Sequence, residues 1–140
     1  MRRKKNPNLE LFKTKKEKRK KLKPMPKLKK LAEKYFHKYI CLRDKYICFT
    51  CGKIGNQAGH FRHSKLDFDE INLNCQCAFC NCYAHGNLGI YAVKLIKKYG
   101  QEVVDDLISR SYKPKKYTRD DLDEYLRIYK LKVKENEKKL

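Results

Sequence analysis

The chain has 140 residues, with 36 Lys and Arg against 16 Asp and Glu and a formal net charge of +20. The length predicts one domain with tails, and the charge predicts a polyanionic partner that is bound through the release of counterions. No apolar run reaches the roughly 18 residues of a transmembrane helix and no apolar segment follows the basic N-terminus as in a secretory signal, so we expect no membrane partner and a cytoplasmic location.

Residues 1–24 are low in complexity and strongly basic, with twelve Lys or Arg and two Glu. Apolar residues are too sparse there to bury enough surface to offset chain entropy. We therefore predict a basic disordered N-terminal arm, with a nuclear-localisation signal as the alternative interpretation. From about 27 to 44, apolar residues recur at helical spacing, which predicts an amphipathic helix with His37 at its surface or boundary.

Six of the seven cysteines follow within a short stretch, where disulfides are not expected in a reducing cytosol. Two Cys-x-x-Cys pairs stand out, and each such turn places two sulfurs on one side of a zinc ion. We predict a structural Zn²⁺ held by both pairs: Cys48, Cys51, Cys77 and Cys80. The three remaining thiols, Cys41, Cys75 and Cys82, are expected to pack. For Cys75 and Cys82 a secondary metal site is the alternative.

The segments between and after the cysteine pairs alternate strands, loops and helices. Strands are predicted on either side of the first pair and, after a turn, in 56–61. A polar loop at 62–69 follows, and residues 70–75 lead into the second pair. Helices are predicted at 88–99, at 101–110 and from Thr118 onward, where Asp121 forms a partial capping box. The predicted organisation is a basic arm, a zinc-bound domain with flanking helices, and a basic linker with a C-terminal helix: 1–24, 25–110 and 111–140.

Between the cysteine pairs lies His60, which is followed by Asn72 and, directly after the second pair, by Asn81. A neutral histidine can accept the proton of an attacking water near pH 7. A Mg²⁺ or Mn²⁺ ion can neutralise the phosphate and the leaving oxygen with only a few protein oxygens as ligands. Together these side chains favour phosphodiester hydrolysis, with the Asn81 oxygen as a metal ligand and the Asn72 amide pinning the loop that carries His60.

The order of these motifs resembles that of the HNH, or ββα-metal, nucleases. The strings QAGHF, FDEIN, QCxxCN and GN-x-x-x-Tyr, followed by a helix that ends in Tyr-Gly, resemble more closely the phage NinG family, also called Rap, over roughly residues 24–100. This resemblance implies an α+β fold with a small zinc-stapled ββα-metal core. It also implies a phage recombination endonuclease that is selective for branched DNA such as Holliday junctions and D-loops.

Carried over to this sequence, the resemblance implies His60 as general base, Asn72 as a structural residue of the catalytic site and Asn81 as a metal-side residue, with Asn87 also on the pattern. One feature departs from it, because many HNH nucleases carry an acidic metal ligand directly before the histidine, where this chain has Gly59. The replacement ligand is left open among four residues: Asp67, Asp69, Glu70 and His85.

Two other functions remain open at this stage. One is a non-enzymatic zinc-knuckle protein that binds nucleic acid, in which His60 is incidental. The other is an HNH nuclease that acts on linear duplex DNA. If junctions are resolved, two cuts are needed, so a homodimer is expected, together with phage or host recombination proteins as partners.

Overall fold

The computed structural model describes residues 22–63, 66–113 and 115–140. The predicted N-terminal arm, except for its last three residues, lies outside this part of the chain. Within the described residues the fold is mixed, with a small sheet among helices, as the α+β prediction requires. The elements in chain order are α1 (Met25–Arg43), β1 (Gln57–His60), β2 (Leu73–Gln76), a one-turn π-helix (Phe79–Tyr83), α2 (Leu88–Tyr99), α3 (Gln101–Ser111) and α4 (Arg119–Glu137).

The sheet is a two-stranded antiparallel hairpin in which Gln57 pairs with Gln76 and His60 pairs with Leu73. The strands predicted around the first cysteine pair shrink to a single bridge between Ile47 and Ile54. The reason is local, because the tight turn between Cys48 and Lys53 closes on itself. Few backbone groups there are left to extend a ladder.

Helices α1 and α4 pack against each other and against one face of the hairpin. The buried residues of α1 recur every four positions, as helical amphipathicity requires: Leu28, Ala32, Phe36 and Ile40. Their partners in this core include Leu122 and Tyr129 of α4 and Leu73 of β2. The hairpin is thereby fixed to a helical layer formed by the two ends of the described chain.

Helices α2 and α3 form a second small core, in which Tyr91, Leu95, Val104 and Leu107 are buried. Helix α2 ends at Tyr99, and Gly100 follows with φ 93°, a conformation that glycine adopts without strain. The capping box predicted for the last helix is also present. Thr118 Oγ1 accepts from the Asp121 backbone N–H, and the Asp121 carboxylate accepts from the Thr118 N–H.

Candidate metal centre and active site

The four sulfurs of the two cysteine pairs converge at one edge of the hairpin, all within 4.8 Å of one another. The first pair lies on a turn that is closed by a hydrogen bond from Gly52 N–H to the Cys48 carbonyl, with φ 76° at Gly52. The second pair begins the π-helix, and the Cys80 N–H points at the Cys77 sulfur at 3.4 Å. A bond from the Phe49 N–H to the Cys75 carbonyl ties the first turn to β2.

This arrangement fits a zinc ion. Zn–S bonds of about 2.3 Å in a tetrahedron place neighbouring sulfurs roughly 3.8 Å apart, and Cys51 and Cys77 are 3.7 Å apart. Burial opposes ionisation of Cys48, but hydrogen bonds from the Thr50 hydroxyl and from nearby backbone lower its pKa to about 6. The predicted ligand set is therefore the set that the fold brings together, and its donors match structural zinc.

The other three cysteines lie outside that cluster. Cys41 and Cys75 are buried next to each other, and a hydrogen bond to Cys75 lowers the pKa of Cys41. Cys82 is exposed and donates its thiol to the Gln57 side-chain oxygen at 3.4 Å. Packing thus accounts for the first two thiols, and Cys82 makes a surface hydrogen bond.

His60 closes β1, and its side chain is 20% exposed. Its Nε2 lies 3.7 Å from Asp67 Oδ1, and its ring lies against those of His37 and His63, with centroids 6.0 and 5.5 Å away. Burial is the largest cause that lowers the pKa of His60, and the nearby His37 adds to it while Asp67 opposes it, giving about 4. The imidazole is therefore neutral at pH 7, and the same burial makes it a weaker base than an exposed histidine.

The carboxylate of Asp67 connects His60 to α1. Its Oδ2 accepts a hydrogen bond from Lys29 Nζ at 2.8 Å, and this contact is the main reason why the pKa of Lys29 is raised. Lys29 also lies 3.5 Å from Glu33 on the same helix. An imidazole, a carboxylate and an ammonium group thus adjoin at the contact between the hairpin and α1.

His37 is a member of this group that the sequence analysis placed at a helix surface or boundary. It is half-buried on α1, and its Nε2 has no hydrogen-bond partner among the described residues. Desolvation lowers its pKa, so its ring is also uncharged at neutral pH. Its helical spacing carried no functional signal, because only the packing of α1 on the hairpin brings it to His60.

Asn72 bonds to the segment that follows His60. It is fully buried, its amide nitrogen donates to the carbonyls of Arg62 and Leu66, and its oxygen accepts from the Arg62 N–H at 2.8 Å. These bonds bracket the loop directly after His60. Tyr91 of α2 adds a bond from its hydroxyl to the Gly59 carbonyl at 2.9 Å, directly before His60.

Asn81 and Asn87 do not join His60 in this structure. The Asn81 amide donates to the Gln57 side chain at 2.8 Å, and the Asn87 amide points at the Cys80 sulfur at 3.8 Å. Side chains alternate along a strand, so Gln57 lies on one face of β1, whereas His60 lies on the opposite face beside α1. Both asparagines therefore interact on the zinc side of the hairpin, and His85 is exposed beside them with φ 50°.

The absence of an acid at position 59 has a steric reason. A Cβ atom on Gly59 would lie 1.9 Å from the side-chain oxygen of Gln76, which is fully buried. Gln76 is held there by its own bonds to Thr50 and to the Gly86 carbonyl. No side chain can therefore occupy position 59 unless Gln76 moves.

Of the acids considered as replacements, only Asp67 lies beside His60 in the described part of the chain. Asp69 accepts from two backbone N–H groups, of Ile71 and Asn72, and pairs with Arg110. Glu70 pairs with Lys132 of α4 and accepts from the hydroxyls of Tyr39 and Tyr129. Both carboxylates serve to join segments of the fold.

A hard divalent ion finds a sparse donor set at His60. We compared the positions of the His, Cys, Asp and Glu side chains in residues 22–63, 66–113 and 115–140. The four cysteines are the only group of three or more of these side chains that lie close enough together to share an ion. Mg²⁺ is commonly held by one or two carboxylates together with substrate phosphates, and Asp67 meets that minimum. The donors therefore fit an ion that arrives with its phosphate and do not form a preassembled cage.

Comparison with known proteins places the chain in a family. The model of the family described as "Bacteriophage Lambda NinG protein" matches residues 1–139. This chain belongs to the NinG family. It is 38% identical over 96 residues to proteins named ninG from Escherichia phages 933W and lambda, which covers 63% of this chain and 48% and 47% of those proteins.

The ninG protein of Salmonella phage P22 is 33% identical over 122 residues, which covers 81% of this chain and 60% of that protein. The chain spans about half the length of the first curated relatives that it matches. No solved structure matches it. Among its described helices, none is both long and apolar enough to pass through a bilayer.

Proposed function

We propose that this NinG-family chain is a metal-dependent DNA endonuclease of the HNH type that acts on branched recombination intermediates. The observation that carries the proposal is the neutral, partly exposed imidazole of His60 beside the carboxylate of Asp67. A perturbed histidine with an acid partner at the edge of a rigid element is a candidate general base. Further support comes from the order of hairpin and helix, and from the net charge of +20.

In the proposed reaction, His60 removes a proton from a water molecule as the water oxygen bonds to phosphorus. The bond between phosphorus and the 3′ oxygen breaks, which leaves a 5′-phosphate and, after protonation from solvent, a 3′-hydroxyl. Asn72 holds the segment that follows His60, so that the imidazole keeps its position on the hairpin. Lys29 forms an ion pair with Asp67 in this structure. When Asp67 binds the divalent metal ion instead, Lys29 becomes available to attract a phosphate.

A bound Mg²⁺ or Mn²⁺ would neutralise charge on the phosphate and on the departing oxygen. Asp67 is the carboxylate that we assign to it, in place of the acid missing at position 59. Asn81, His85 and Asn87 are assigned instead to the zinc side of the hairpin, where they would support the metal-bound turn. This assignment narrows the choice that the sequence left open.

Branched DNA is favoured over a specific base sequence because the chain offers many phosphate-binding side chains. The linker residues Lys113, Lys115 and Lys116 are exposed, and contacts of this kind position a protein on the backbone without reading bases. Shape and deformability then provide selectivity. A dimer that makes two cuts, and a location in the cytoplasm of an infected cell, are part of the same proposal.

The test replaces His60 with Ala and measures binding and nicking of a synthetic four-way junction with Mg²⁺ or Mn²⁺. We expect the variant to bind as the unaltered protein does and to lose nicking by at least about 100-fold, the scale of general-base catalysis. A linear duplex of the same sequence, added as a competitor, measures junction preference.

A second function, zinc-knuckle binding of nucleic acid without catalysis, is favoured by the sparse oxygen donors around His60. It predicts that the unaltered protein binds junctions but cleaves neither junction nor duplex with any divalent ion. That result would replace the endonuclease proposal.

A further inference from the structure

Two aromatic side chains stand out on the π-helix. Phe79 is 68% exposed and Tyr83 is 78% exposed. Their ring planes differ by 25°, with centroids 6.4 Å apart. Neither ring contacts another aromatic ring or a cation within the described part of the chain, whereas most tyrosines of this protein pack in a core or beneath a lysine.

The turn that carries these rings is held from several directions. Phe79 lies between the zinc ligands Cys77 and Cys80, and its carbonyl accepts from the Ala84 N–H at 2.8 Å. Between the two rings, the Asn81 amide bonds to Gln57 of β1. Large apolar rings placed in water by such a fixed turn serve no purpose in folding, since they would be equally exposed in the unfolded chain.

The electrostatic setting of the rings favours one class of ligand. From Ile71 to Gln101 the sequence contains no Asp or Glu, and its charged side chains are Lys94, Lys97 and Lys98. The whole chain carries +20, and the segment that carries the rings adds no negative charge, so a polyanion is attracted to the protein that presents them. Exposed flat rings on a basic protein are the usual platform on which unpaired bases stack.

We infer that Phe79 and Tyr83 form a stacking platform for unpaired bases of a nucleic acid, such as those at the branch point of a junction. This inference rests on the proposed function for the identity of the DNA, and it deepens that function by adding a contact that distinguishes a branch from a paired duplex. Bases within a duplex are stacked on each other, so their faces are closed to the two rings.

The experiment uses the full zinc-loaded chain without added divalent ion and a junction with unpaired 2-aminopurine at its branch point. In the F79A/Y83A double variant we expect binding of this probe to weaken about 5- to 100-fold. Quenching of 2-aminopurine fluorescence should be lost with it. Binding of the fully paired linear duplex should change by less than about twofold, and the dependence of affinity on salt should keep its slope, because no phosphate contact is removed.

Two further variants serve as controls. The exchange F79Y/Y83F keeps both rings and should bind and quench as the unaltered chain does. Leu131→Ala removes an exposed apolar side chain from α4 and should also leave binding unchanged. Zinc content and thermal unfolding are measured for each variant, so that loss of the folded turn is recognised.

Equal binding of the probe by the double variant and the unaltered chain would overturn the inference. The endonuclease proposal would be unaffected by that result. If the double variant keeps its affinity but sediments as a smaller species, the rings are a contact between copies of the chain, and the inference is also overturned. If the chain binds unpaired bases through these rings and never cleaves DNA, the inference stands and the endonuclease proposal fails.

Discussion

Nε2 of His60 and Oδ1 of Asp67 lie 3.7 Å apart, and Lys29 binds the other oxygen of the same carboxylate at 2.8 Å. In the proposed endonuclease, Asp67 would supply from a loop the acid that many HNH nucleases place next to the histidine in sequence. The carboxylate faces both the candidate base and a basic helix. The first prediction follows from this contact.

Replacing Asp67 with Asn should lower the rate of junction nicking about 10- to 100-fold, the usual effect of removing a group that orients a catalytic or metal-binding partner. The loss should be smaller at high Mn²⁺ if the carboxylate helps to hold the ion. Nicking rates across a metal titration measure both effects. Asp123→Asn, at an exposed position of α4, is the matched control, and equal rates for both variants would refute the role of Asp67.

The stability of the fold should depend on the protonation of His60. Its pKa falls from an ordinary 6.5 to about 4 on folding, so the native state resists protonation that the unfolded chain accepts. The resulting stabilisation is fully present above pH 6.5 and is lost as the pH falls towards 4. Its upper size is about 3 kcal/mol, at roughly 1.4 kcal/mol for each pKa unit.

Urea unfolding of the unaltered chain and of His60→Asn at pH 7.5, 6 and 5 measures this contribution. The free energy of unfolding of the unaltered chain should fall more steeply with acid, because only this chain carries the His60 imidazole. The other titrating groups, including the thiolates, are present in both proteins, so their contributions cancel in the difference. Parallel curves for the two proteins would show that His60 is not shielded as described.

The metal centre separates ligand from non-ligand cysteines. Cys51→Ser should abolish binding of one zinc per chain and unfold the knuckle region, because the binding free energy of a structural zinc is part of the folding free energy. Cys82→Ser removes an exposed thiol that lies outside the cluster and should keep one zinc. Zinc analysis by mass spectrometry and circular dichroism before and after chelation provide the measurements, and loss of zinc from the Cys82 variant would contradict the ligand set.

Two glycines should respond to alanine in opposite directions. Gly59→Ala places a methyl group against the buried Gln76 side chain and should destabilise the chain by about 1–3 kcal/mol through overpacking. Gly89 lies in α2 with open space around its Cα, so Gly89→Ala should stabilise it by up to about 1 kcal/mol.

Thermal or urea unfolding of both single variants tests this contrast. Adding Gln76→Ala to Gly59→Ala should recover part of the loss, since the two side chains no longer overlap, and the two effects should therefore not be additive. A Gly59→Ala chain as stable as the unaltered one would mean that position 59 is open to an acidic ligand after all.

Local sequence determined the zinc ligands, the helices and their caps. The two sulfurs of a Cys-x-x-Cys turn and the capping box at Thr118 and Asp121 each involve residues within a few positions of one another. The sequence therefore specifies these features without reference to the rest of the fold. The same holds for α1 and α2, whose apolar residues recur at helical spacing.

Tertiary structure decided which side chains meet His60. Asp67, Asp69 and Glu70 are near neighbours in sequence, yet Asp69 is drawn to Arg110, Glu70 to Lys132, and only Asp67 turns to the hairpin. His37 lies beside His60 because α1 packs on the hairpin. Side chains alternate along β1, so Gln57 and the Asn81 amide bonded to it lie on the other face. Contacts between distant segments depend on packing, and the spacing of residues within one segment carries no information about it.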